Sequence, residues 1–157
     1  MLNSLFPFRT ATIGLIVLGT ACFSRRAEPM DSGPGLPDNA DVSTSLVLEQ
    51  FLRAANQNDL DTMGRLFGTV NGPNTNRVPK DQLEQQLFAI ASILRHESYE
   101  ILGRQIVPGR RDEATQVTVR MNIGMNRMVD VPYTLVYSNA GTWLVEQIDL
   151  EKITSAR

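Results

Sequence analysis

The sequence predicts an α+β domain in which two to three N-terminal helices pack on a four-stranded antiparallel meander. Three observations carry this. Val117, Val119, Met121 and Ile123 alternate with Gln116, Thr118, Arg120 and Asn122, and Val129, Val131, Tyr133, Leu135 and Tyr137 repeat the pattern on the next segment. That is the period of strands with one buried face. Leu48, Phe51, Leu52 and Ala55 instead recur at i, i+3, i+4 and i+7, one stripe of a helix. Short turns at Gly124-Met125-Asn126 and Ser138-Asn139-Ala140-Gly141 then join consecutive strands as hairpins.

In chain order, residues 1–21 read as an export signal. Arg9 and the amino terminus supply positive charge, and a run of small and apolar residues extends from Ala11 to Ala21. Counted as far as Phe23, that run spans about 20 Å as a helix, short of the roughly 30 Å hydrocarbon core of a bilayer. It suits a signal core better than a permanent span.

Cys22, the single cysteine, closes the run. Leu18-Gly19-Thr20-Ala21-Cys22 resembles the lipobox of bacterial lipoproteins, which implies a lipidated thiol and cleavage just ahead of it. Gly19 stands where a larger aliphatic residue is usual, and Arg25 and Arg26 follow closely. The resemblance implies a membrane partner through a lipid anchor at Cys22 and a place in the cell envelope, facing the periplasm or the exterior.

Residues 22–43 hold Pro29, Gly33, Pro34, Gly35 and Pro37 among small polar residues. So little apolar surface cannot offset the entropy of ordering the backbone, and the segment reads as a tether.

The folded domain is expected over residues 44–153, with 154–157 as a tail. Asp41 or Ser43 can cap the first helix. Asp59 can cap a second, carrying Leu60, Met63 and Phe67 and stopped by Gly68. Thr69 to Arg77 contains Asn71-Gly72-Pro73-Asn74 and reads as loop; it has no acidic residue, which excludes a calcium loop. Pro79 opens a third helix with Leu83, Leu87, Ile90, Ala91 and Leu94 on one stripe. Tyr99 to Val107 gives the first strand, and Pro108 to Asp112 its hairpin loop. Thr142-Trp143-Leu144-Val145-Glu146-Gln147-Ile148-Asp149-Leu150 gives the last strand.

Composition narrows the function. The 157 residues suit one domain, and 42% hydrophobic with 20% charged residues marks a globular chain. A formal charge of -2 without a clustered basic face argues against a nucleic-acid partner. One cysteine forms no internal disulfide, and one histidine makes no multi-histidine metal site. No metal or cofactor motif is present.

The order of elements, with Phe51-Leu52-Arg53-Ala54-Ala55-Asn56-Gln57-Asn58-Asp59 and Gly141-Thr142-Trp143 as local features, resembles the NTF2-like superfamily over residues 44 to about 153. The resemblance implies a curved sheet wrapped around helices as a cone with a pocket; a cystatin-like or other α+β sheet is the structural alternative. It implies no single activity, because such a fold hosts enzymes and binders alike.

Enzymes of that superfamily, of the ketosteroid-isomerase kind, typically place an acidic or basic group in the cone. Here the apolar faces of the second and third strands carry no carboxylate or histidine, and Arg120 and Asp130 fall on the opposite face. A general base must come within hydrogen-bonding distance of the proton it takes, so an outward Asp130 cannot serve. The faces of the first and last strands stay open, and either Arg104 or Glu146 can point inward. His96, at the end of the third helix, gains from the helix dipole. Met121, Met125 and Met128 would suit copper(I) as soft ligands, but a hairpin points them apart. Tyr99, Met121, Tyr133, Tyr137 and Trp143 are the candidate pocket lining.

Two readings follow. One is a non-enzymatic binding or interaction module, holding a small apolar ligand or a cell-envelope protein. The other is an isomerase or dehydratase with its acid–base group on the first or last strand. The polar outward sheet face, Gln116, Thr118, Arg120, Asn122 and Thr134, predicts a monomer.

Overall fold

The computed structural model describes residues 40–110 and 113–156. The expected export signal, Cys22 and the tether up to residue 39 lie outside the described residues. Within them, helices come first and a four-stranded antiparallel sheet follows, an α+β arrangement.

Helix α1 (Ala40–Gln57) buries Leu48, Phe51, Leu52 and Ala55, the stripe its periodicity specified. It begins four residues before the expected domain start. Asp41 and Ser43 therefore lie inside the first turn and do not cap it; Asp41 there faces the positive end of the helix dipole. Asn58, in the left-handed region at φ 53, turns the chain into α2 (Leu60–Leu66). Asp59 caps α2 by accepting from the Thr62 amide at 3.0 Å.

Beyond α2 the loop carries its own small ladder, β1 (Gly68–Thr69) against β2 (Gly72–Pro73), and a 3-10 turn at Asn74–Asn76. Gly68 is not a helix stop. It sits where a Cβ would lie 2.4 Å from the Gly72 carbonyl oxygen and 2.8 Å from Pro73 Cα, so close backbone approach is what requires glycine there. Helix α3 (Lys80–Ile93) buries Leu83, Leu87, Ile90 and Ala91. Pro79 precedes the helix instead of opening it, and its carbonyl accepts the Leu83 amide at 3.0 Å.

The sheet runs β3 (Ser98–Ile106), β4 (Ala114–Asn122), β5 (Met128–Tyr137) and β6 (Trp143–Ile148), each hydrogen-bonded to the next in sequence. Register puts Val117 opposite Tyr133, Val119 opposite Val131 and Tyr137 opposite Trp143. All of these face the helices, where they join Leu48, Phe51, Leu52 and Met63 in one core. Burying a side chain such as Leu52 or Phe51 is worth about 1.5–3 kcal/mol. Phe67 bridges to Val145 and ties the end of α2 to the sheet. Helix α4 (Glu151–Thr154) closes the chain with Ile153 buried.

Strand β3 is an edge strand that the helices leave largely uncovered; only Ile101 is half-buried. Its register against β4 shifts between Ile101 and Gly103. The shift leaves Leu102 unpaired and changes which residues face α1: Tyr99 and Ile101 before it, Arg104 after it. On the reverse side of the sheet, Ala114, Val136 and Leu144 form a small second cluster with Val107. Among the described residues, no helix is long and apolar enough to cross a membrane.

Candidate functional site

The five predicted pocket residues do not share one pocket. Met121 and Tyr133 are fully buried in the core, where the Tyr133 hydroxyl donates to the Met121 sulfur at 3.3 Å. That thioether takes the place of the backbone partner a buried tyrosine usually finds. Burial alone pushes the Tyr133 phenol well above its ordinary pKa.

Tyr99 lies on the edge strand, 36% exposed, with its ring edge-on to His96 at 5.4 Å. Desolvation raises its pKa, nearby Glu49 raises it further, and Arg53 opposes them. It lines a shallow surface depression with Arg53, Asn56 and His96.

Tyr137 and Trp143 do come together. They are cross-strand partners with ring centroids 5.3 Å apart and planes tilted by 55°. The β5–β6 turn holds them beside α1 and α2, and the space between is a cleft of about 660 Å³. Val47 and Leu66 supply apolar walls, and Ser43, Arg65, Gly141 and Thr142 stand among the lining residues. Trp143 is 4% exposed, and its indole N–H meets no acceptor among the described residues. Arg65 gives one N–H to the Thr62 hydroxyl at 2.7 Å and keeps the rest of its five donors.

The ionisable candidates fall elsewhere. Arg104 faces the helices, as one of the two open alternatives allowed, but it is an ion pair with Asp41 of α1 at 2.5 Å. Glu146 faces the reverse side, where Arg110 clasps it with two nitrogens at 2.5 and 3.2 Å. That hydrogen bond to Glu146, opposed by desolvation, raises the Arg110 pKa. Arg120 and Asp130 pair on the same reverse side at 2.8 and 3.0 Å, and the guanidinium holds the Asp130 carboxyl below its usual range. His96 is held by Asn56 and by the Leu94 carbonyl.

Met121 is buried while Met125 is 89% and Met128 54% exposed, so the three thioethers do not converge. Among the described residues, no group of three histidine, cysteine or acidic side chains is placed to hold a metal ion.

Sequence reasoning missed Ser43, Arg65 and Leu66. Nothing in the local pattern of α2 marks Arg65, because its place at the cleft depends on how α2 meets the β5–β6 turn. No protein-family model matches the chain, and no curated protein matches its sequence.

Proposed function

We propose that this chain is an exported binding module, anchored to a membrane by a lipid on Cys22, that holds a small apolar ligand in the cleft beside Trp143. The NTF2-like resemblance belongs to the same reading: helices covering one face of an antiparallel meander suit a cone-shaped receptacle. One observation carries it. The cleft is lined largely by aromatic and aliphatic side chains, and Arg65 is its single charged lining residue among those described. An apolar site with a few polar groups is the usual form of a small-molecule site, and a guanidinium stays protonated and offers no general base.

Native mass spectrometry of the mature protein, released from its membrane, tests the reading. The expected spectrum shows a diacylglycerol-bearing amino-terminal cysteine and a co-retained small molecule. A mature protein with an unmodified Cys22 and no retained mass under gentle release would overturn it.

A further inference from the structure

The polar groups around the cleft share one property. Arg65 and the Trp143 indole can only donate hydrogen bonds, the Ser43 and Tyr137 hydroxyls can donate, and no carboxylate or imidazole lines the cleft among the described residues. The indole N–H is the informative one. It is buried without an acceptor, and an unmet buried donor carries a desolvation penalty that folded proteins rarely leave standing. An occupant that brings an acceptor removes that penalty.

From this we infer that the cleft binds an apolar carboxylate, a small molecule with a hydrocarbon body and one carboxylate head. Arg65 and the Trp143 N–H receive the head, and Val47 and Leu66 receive the body. The single cation matches a single negative charge, and a charge-assisted hydrogen bond from a guanidinium to a carboxylate is about twice as strong as a neutral one. The apolar walls select for the hydrocarbon. The indole nitrogen is closed to solvent, so the head must move a neighbouring side chain to meet it, and the half-buried Tyr137 ring, its centroid 5.3 Å from that of Trp143, lies against the indole. The assignment rests on the binding-module reading and narrows it to a ligand class.

The chain has one tryptophan, so the ¹⁵N-labelled full chain in non-ionic micelles gives one indole N–H resonance, and that resonance reports on this cleft. Hexanoate is the probe, with hexan-1-ol as the same body without the charge and acetate as the head without the body. Hexanoate should move the indole proton downfield and saturate, and hexan-1-ol should bind roughly tenfold more weakly, the factor that about 1.4 kcal/mol of head-group interaction gives. Acetate should leave the resonance unmoved.

Arg65→Gln, on an exposed position that no core contact depends on, should remove most of the preference for hexanoate over hexan-1-ol. Equal affinity for acid and alcohol, or an undiminished preference in Arg65→Gln, would overturn the carboxylate assignment and leave the apolar binding site standing. Saturable binding of hexanoate with the indole resonance unmoved would also overturn it. If neither probe binds, both the assignment and the binding-module reading fall.

Discussion

Asn56 and His96 are joined three times across 40 residues of chain. The Asn56 amide nitrogen donates to the His96 carbonyl at 3.1 Å and to its ring Nε2 at 3.2 Å, and the Asn56 carbonyl oxygen accepts the His96 amide at 3.3 Å. The other ring nitrogen, Nδ1, sits 2.8 Å from the Leu94 carbonyl. A carbonyl can only accept, so Nδ1 carries the proton and Nε2 is free to accept from Asn56. The end of α1 is thereby fastened to the turn between α3 and β3.

That clasp predicts an ordering of variants. Asn56→Ala loses three partly exposed bonds and should lower stability by about 1–2 kcal/mol, each net bond being worth roughly 0.5–1.5 kcal/mol and less in water. Asn56→Asp should be worse than alanine at pH 8, because a carboxylate sets lone pairs against both the His96 carbonyl and its unprotonated Nε2. Urea midpoints of the three proteins check the order. Aspartate tolerated as well as asparagine would contradict it.

Gly68 and Gly103 make a paired test of close approach. Gly68→Ala pushes a methyl group into backbone atoms of Gly72 and Pro73 and should cost about 1–3 kcal/mol, the usual range for overpacking. Gly103→Ala meets nothing within 4 Å and should change the thermal midpoint little. Equal effects would mean that β1 and β2 yield more easily than their spacing implies.

Tyr133 and Trp143 separate hydrogen bonding from volume. Tyr133→Phe removes one hydroxyl whose partner is a sulfur and should cost no more than about 1 kcal/mol. Trp143→Ala empties a buried ring and should cost roughly 3–5 kcal/mol, a large share of a typical domain's total. Stability should thus follow side-chain volume in urea unfolding. A Tyr133→Phe protein weaker than Trp143→Ala would reverse the assignment.

The raised pKa of Tyr133 fixes the sign of an alkaline effect. The phenol ionises in the unfolded chain near pH 10 but resists ionisation when buried, so the unfolded state binds fewer protons above that pH. The contribution is complete below about pH 10 and is lost as pH climbs toward the folded-state value, by up to about 1.4 kcal/mol per pH unit for one proton. Urea midpoints at pH 9 and pH 11 should fall further for the native sequence than for Tyr133→Phe. Identical losses would place the alkaline sensitivity elsewhere.

The anchor is tested at Cys22. Cys22→Ser should leave the protein unprocessed or move it from the membrane fraction to the soluble one, since several acyl chains hold firmly where one holds weakly. A mutant that is processed and retained as before would contradict the lipobox reading.

The strands were legible because alternation is a local signal: Val117 through Tyr137 fall on the faces that their spacing specified, and Asp59 caps α2 as its position suggested. What the sequence concealed depends on distant parts of the chain. The start of α1 was hidden by the Pro/Gly-rich stretch running into it. The need for glycine at 68 comes from Gly72 and Pro73 folding back on it. The Asn56–His96 clasp joins positions too far apart for any local pattern to connect. Of the cleft, the aromatic pair Tyr137 and Trp143 could be named in advance, but Arg65 could not, since an exposed arginine on a short helix looks like any solvated charge.

The unpaired Leu102 in β3 bears on how this chain behaves among its own copies. A strand whose parity changes halfway along offers a visiting strand no continuous template: a neighbour in step with Tyr99 and Ile101 is out of step with Arg104. Sliding by two residues does not restore the match, because the irregularity moves with the strand. The Arg104–Asp41 pair adds a charge that an incoming apolar side chain would have to bury. One extra residue thus gives an exposed β-edge a built-in resistance to zipping against another, the kind of protection that natural sheets place at open borders.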